Sequence, residues 1–277
     1  MARYDALDLG TSPDAMLAVA VERISSDREH GASWLARAAA GALAQAAGHL
    51  LERDADDALL ASAAAWCSHA RELALARPSM AALATTVARI YAAGWPPRTQ
   101  VLAHTGAAAR IALTRSRAEA EHVVALWEAS AGAIATHARP LLRGTLLTHS
   151  RSATVERVLA ALTADGSSAV ERVIVTEARP GGEGVGLAGA LAASGLPVTL
   201  IADAAVGMLA HEARCVVVGA DSVRADGSVV NKIGTSLLAL AARAAGIPLY
   251  VLTESLKIAP RNWPLVLEET DSMLLLR

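Results

Sequence analysis

The chain has 277 residues, a formal net charge of -2, 53% hydrophobic residues and 19% charged residues. A chain this apolar buries enough surface to offset its ordering entropy, which excludes intrinsic disorder, and 25 basic against 27 acidic residues exclude nucleic-acid binding by bulk charge. There are 65 Ala and 23 Arg but no Phe and only 2 Lys, so the position of each lysine is informative.

Taken in chain order, the first ten residues carry Arg3, Asp5 and Asp8 and lack the apolar centre of a signal peptide. Residues 12–139 read as helical nearly throughout. Ala, Leu, Arg and Glu dominate, and apolar positions recur at three- and four-residue steps, as at Leu43, Ala46, Ala47 and Leu50. Breaks at 27–31, 54–57, Pro78 and 94–97 divide this stretch into five or six helices of a bundle. Pro78 is expected in a first helical turn, where its missing N–H costs nothing. Trp34, Trp66, Trp95 and Trp127 supply the bulk that Phe does not.

From residue 144 the pattern changes to short β-rich runs at 145–150, 172–176, 198–202, 215–219 and 249–252. Helical stretches at 154–162, 187–193 and 235–245 lie between them. This alternation implies parallel strands with crossover helices, hence an open α/β sheet. Ligands of such sheets sit beyond the strand carboxyl ends. The residues there are His149-Ser150-Arg151, Glu177 to Pro180, Asp203, Gly219-Ala220-Asp221 and Thr253-Glu254. The uncharged stretch 185–202 contains glycines and Pro197 and reads as helix, turn and strand, not as a membrane span, so a soluble cytoplasmic protein is expected.

Cofactor and metal readings find little support. Gly184, Gly186 and Gly189 match the glycine spacing of a dinucleotide fingerprint, with Asp203 following a strand. In that fingerprint the first glycine turns the chain directly off the strand, whereas here residues 177–183 intervene after Thr176. No cofactor is expected. Cys67 and Cys215 lie far apart, and the eight histidines form no pair with metal-ligand spacing, so two buried thiols and no metal are expected. Among the histidines, His149 at a strand end is the candidate for a pocket.

An anion site is readable without further help. Gly234-Thr235 at a helix start offers free backbone N–H groups and the positive end of the helix dipole, and Lys232 stands just before them. Arg77 at a helix head and Arg179 after a strand add cations. The alternatives are a surface charge for Lys232, an ion pair of Arg179 with Glu177 or Glu183, and loop capping for Asp221. Asp203 is expected to cap the short helix 204–209.

Four motifs occur in order: Val173 to Pro180, Pro197 to Asp203, Val216 to Asp221, and Asn231-Lys232-Ile233-Gly234-Thr235. Ala76-Arg77-Pro78-Ser79 and Leu147-Thr148-His149 accompany them upstream. Together they resemble the α/β/δ subunits of eukaryotic translation initiation factor 2B, whose superfamily includes methylthioribose-1-phosphate isomerase and ribose-1,5-bisphosphate isomerase. The resemblance implies a helical N-terminal domain (1–140) followed by a Rossmann-like α/β domain (141–277), an open, mainly parallel sheet with flanking helices. It also implies a homodimer and a phosphosugar pocket with Arg77, Asn231 and Lys232 binding and Asp221 catalytic, and it places Arg179 and Gly234 in matching motifs.

Three positions depart from the isomerase pattern. His30 stands where the first pocket Arg would be, Ser150 where the catalytic Cys would be, and Glu183 where a Gln precedes Gly184. A serine hydroxyl is far less acidic than a thiol and needs an added base. Glu183 brings negative charge toward a phosphate, and His30 matches Arg only when protonated and without its fork. The expectation is therefore a phosphosugar- or nucleotide-binding protein of the regulatory or non-catalytic branch. An aldose–ketose isomerase acting on ribose 1,5-bisphosphate or methylthioribose 1-phosphate is the alternative, with Asp221 as acid/base and Ser150 or His149 replacing the thiol. An assembly subunit without a small-molecule role is a third. Neither a membrane nor a nucleic acid is expected as a partner.

Overall fold

The computed structural model describes residues 12–95, 105–164, 166, 169–263 and 271–275. Its contacts separate into two compact units that divide between Glu128 and Ala129.

The first unit is helical: α1 (Pro13–Ser26), α2 (Ala32–Arg53), α3 (Asp56–Leu75), α4 (Ala81–Gly94) and the first part of α5 (Gly106–Ala138). Ser12 caps α1 by accepting the Ala15 N–H, with Pro13 at the first helical position. On α2, Ala36, Ala39, Ala40, Leu43, Ala46 and Ala47 form a fully buried stripe. Side chains this small let neighbouring helices approach closely, and Trp66 and Trp127 fill the larger gaps. The Trp66 indole N–H, buried with its ring, donates to the Leu43 carbonyl.

Pro78 departs from expectation. It lies in the turn between α3 and α4, where the Met80 N–H donates to the Arg77 carbonyl, so the helix begins later, at Ala81. The break at 94–97 is seen as far as Trp95, which ends α4; Pro96 and Pro97 lie outside the described residues.

The second unit holds a five-stranded parallel sheet of order β3-β2-β1-β4-β7. Its strands are β1 (Gly144–His149), β2 (Val170–Thr176), β3 (Val198–Ile201), β4 (Cys215–Val218) and β7 (Leu249–Val251). Helices α6 (Ala153–Thr163), α7 (Glu183–Ala193), the short α8 (Val206–Leu209) and α9 (Thr235–Ala245) supply the crossovers. Strand alternation sorts the core into two faces. Leu146, Val173, Val175, Cys215 and Val217 pack with α6, α7 and the end of α5. Leu147, Ile174, Val216 and Val218 pack with α8 and α9. Both faces are covered, which is why these strands read as continuous apolar runs.

A small antiparallel sheet of order β5-β6-β8 was not anticipated from the sequence. It joins β5 (Ser222–Val223), β6 (Ser228–Lys232) and β8 (Asp271–Leu275), and β6 delivers Asn231 and Lys232 to the start of α9. Among the described residues no helix is long and apolar enough to cross a membrane.

Candidate functional site

The strand order reverses between β1 and β4, since β2 and β3 follow β1 on one side and β4 lies on the other. At such a switch point the loops diverge and leave a crevice beyond the strand carboxyl ends. His149 and Ser150 leave β1 there, and Gly219, Ala220 and Asp221 leave β4.

His149 is buried and pairs in register with Thr176 of β2. Its Nε2 faces the Ile233 carbonyl at 2.6 Å and must donate, so the neutral ring accepts the Thr176 hydroxyl at Nδ1, also at 2.6 Å. Burial holds the imidazole below the ordinary histidine range, against the Ile233 hydrogen bond and the nearby Asp203 and Glu183 charges that favour protonation. Gly234, with φ of 100°, lies against this ring. A Cβ there would meet His149 Cε1 at 2.6 Å, so only glycine serves the turn into α9.

The turn is braced from within. Thr235 Oγ1 accepts the Asn231 amide at 2.9 Å and donates to the Lys232 carbonyl at 2.7 Å. Asn231, read as a ligand contact, thus has its side-chain nitrogen engaged in shaping the loop that presents Lys232. The Lys232 ammonium donates to Glu183 Oε1 at 2.6 Å, with the two side chains 23% and 30% exposed. Both are predicted site residues, and the structure joins them to each other.

Glu183 opens α7, and the following glycine is set by packing. A Cβ at Gly184 would lie 1.8 Å from the Thr176 carbonyl oxygen. All three glycines of the fingerprint spacing fall inside α7, well after β2 ends, so they form no phosphate turn. Asp203 corrects its expected role: its carboxylate accepts the Ala178 and Arg179 N–H groups at 2.8 and 2.7 Å, clamping the loop after β2 across to β3. Ala178 is left-handed there, with φ of 59°. Arg179 is exposed, and its guanidinium lies near Gly182, where a Cβ would stand 3.7 Å from Nη1.

Ser150 is also left-handed (φ 61°) and buried, a conformation that costs a non-glycine residue about 1–3 kcal/mol. Asp221 is partly exposed after β4, and its backbone N–H donates to the Val230 carbonyl. His30 and Arg77 belong to the helical unit. There His30 stacks on Trp34 at 3.8 Å and meets the Asp27 carboxylate at 2.8 Å, while buried Arg77 donates to the Asp27 carbonyl.

The sequence reading passed over the second lysine. Lys257 and Glu254, each with a side chain only 4% exposed, pair at 3.0 Å just after β7. The Thr154 hydroxyl in the first turn of α6 donates to Glu254 at 2.9 Å and lies 3.3 Å from the Lys257 ammonium. Lysine scarcity was the available signal. Among the described residues no cluster of His, Cys, Asp and Glu is arranged to hold a metal ion.

The sequence profile of the Initiation factor 2 subunit family matches residues 28–274. The chain belongs to this family. A translation initiation factor eIF-2B subunit 2-like protein of Pyrococcus horikoshii is 34% identical over 266 residues, covering 96% of this chain and 85% of that protein. The ribose 1,5-bisphosphate isomerase of Archaeoglobus fulgidus is 40% identical over 131 residues, but the match spans 46% of this chain and 41% of the isomerase. The crystal structure of a Pyrococcus horikoshii translation initiation factor eIF-2B superposes with a TM-score of 0.73 at 28% identity, covering 94% of this chain and 89% of that one. The family's α/β architecture is the one described above.

Proposed function

We propose that this family member binds a phosphosugar or nucleotide at the carboxyl ends of β1, β2 and β4 and acts as a regulatory, non-catalytic protein. The observation that carries this reading is the engagement of His149. Ser150 stands at the position of the isomerases' cysteine, and a serine there needs a base to move a proton. The adjacent imidazole has both ring nitrogens bound within the fold, to Thr176 and to Ile233. The Asp203 carboxylate is likewise bound to two backbone N–H groups. The groups offered for binding are cations and backbone donors: Lys232, which a ligand anion would have to share with Glu183, the α9 N-terminus behind Gly234, and the exposed Arg179.

A second reading, isomerisation of a ribose 1-phosphate derivative, is favoured by the 40% identity to the Archaeoglobus fulgidus isomerase and by Asp221 after β4. Calorimetric titration with ribose 1,5-bisphosphate, methylthioribose 1-phosphate and nucleoside monophosphates, followed by an isomerisation assay on each compound that binds, separates the two. Binding that is lost in Lys232→Ala, without turnover, is expected. Turnover that Asp221→Asn abolishes overturns the non-catalytic reading.

A homodimer completes the proposal. Helix α8 packs on α9, and Met208, Leu237 and Leu240 from this pair are 67%, 45% and 65% exposed. Leu237 and Leu240 stand three residues apart and so share a side of α9, and exposed apolar side chains of this size are suited to cover by a second copy.

A further inference from the structure

We propose a second ligand site, separate from the strand-end crevice: the cleft between the β5–β6 turn and the segment after β7, which takes a small aromatic monocarboxylate. This cleft has a volume of about 250 Å³, with Arg224 and Asp226 on one side and Pro260, Arg261 and Trp263 on the other. It stands at the Ser228 end of β6, whereas Lys232 closes that strand about 13 Å further along at strand spacing.

Both walls are fixed by the fold before any ligand arrives. Asp226 Oδ1 accepts the Ser228 N–H at 2.9 Å and the Ser228 hydroxyl at 2.6 Å, and Gly227, with φ of 84°, completes the turn. The Arg224 N–H donates to the Ser228 carbonyl at 2.8 Å. Opposite, Ile258 forms a parallel bridge with Val223, and the Ala259 N–H donates to the Val223 carbonyl at 2.7 Å. The Trp263 N–H closes its own turn on the Pro260 carbonyl at 2.9 Å, and Arg224 Nη1 reaches across to the Trp263 carbonyl at 3.4 Å. A pocket held this way pays little ordering cost on binding.

Charge and shape define the ligand. Hydrogen bonds from Ser228 hold the Asp226 carboxyl below the usual carboxylate range, so it stays ionised at neutral pH. Two guanidiniums against one carboxylate leave one net positive charge, which a monoanion balances and a dianion overshoots. A guanidinium presents a planar fork that matches a carboxylate. Trp263 and Pro260 add ring surface against which a flat apolar group packs. The volume falls short of the roughly 300–1,000 Å³ of pockets for larger ligands, so one ring with its carboxylate fills it.

The test titrates the native chain calorimetrically with benzoate, cyclohexanecarboxylate, acetate and inorganic phosphate. Benzoate is expected to bind most tightly, about tenfold or more above acetate. Arg261→Gln, a change at an exposed side chain, should weaken benzoate about tenfold. Trp263→Leu should erase the preference for benzoate over cyclohexanecarboxylate, with circular dichroism checking that both variants fold. Absent benzoate binding, or binding that Arg261→Gln leaves unchanged, overturns the site. A ring preference that survives Trp263→Leu overturns its aromatic part, and phosphate bound as tightly as benzoate overturns the monoanion assignment. Benzoate affinity lost in Lys232→Ala would place the compound in the strand-end crevice and overturn the second site.

Discussion

His149 links two strands and a helix start through one neutral ring, and this makes it sensitive to acid. Its folded-state pKa is depressed by burial, so between the ordinary histidine value of about 6.5 and that lower value the unfolded chain binds the extra proton. Stability contributed by the neutral ring is therefore complete above that ordinary value and is lost as pH falls through the window below it. The melting temperature is expected to drop between pH 7 and pH 5, and His149→Gln should flatten that dependence while lowering the value at pH 7. An unchanged slope in the variant would assign the acid sensitivity to other groups. The two thiols behave in the opposite sense. Burial pushes Cys67 and Cys215 up to about 11, so at pH 8 both remain protonated and covered. A thiol-reactive chromogenic disulfide should find no reactive cysteine in the folded chain and two after denaturation; rapid reaction of either in the native state contradicts this placement.

At the scale of elements, the contact of α6 with the segment after β7 depends on an ion pair taken out of water. Removing one member of such a pair strands the other charge and typically costs 3–5 kcal/mol, whereas replacing both by apolar groups is often neutral. Lys257→Met alone should destabilise by roughly that amount in urea unfolding, and Lys257→Met with Glu254→Leu should recover most of it. Equal losses in the single and double variants would deny the coupling. This contact also shows where sequence reading stops. Helices and parallel strands were legible because each is written in local periodicity, and the strand-end residues followed from topology. Thr154 and Glu254 stand 100 positions apart, so their pairing has no local trace. The strand β5, Ser222–Val223, is too short to show alternation and exists only through its partner β6. Lys232 was found from its motif, but its engagement by Glu183 was not, because two opposite charges 49 positions apart announce nothing until the fold joins them. Asp203 was misplaced for a related reason: a nearby helix start was visible in sequence, and the competing backbone donors in the loop after the neighbouring strand β2 were not.

For the molecule as a whole, the exposed apolar pair on α9 is where self-association should be felt. Sedimentation equilibrium is expected to report a dimer for the native chain and a monomer for Leu240→Glu, with ligand affinity retained; a dimer that survives the substitution moves the interface elsewhere. The other long feature is α5, whose buried positions in the first unit, Ala109, Ala112, Leu113, Ser116, Ala120, Val123 and Trp127, recur at three- and four-residue steps. Such spacing fixes the rotational phase of the helix against its own core, since one residue added or lost turns everything beyond it by about 100°. Along this stripe the chain keeps count: a point change costs one contact, whereas a one-residue insertion displaces every contact that follows.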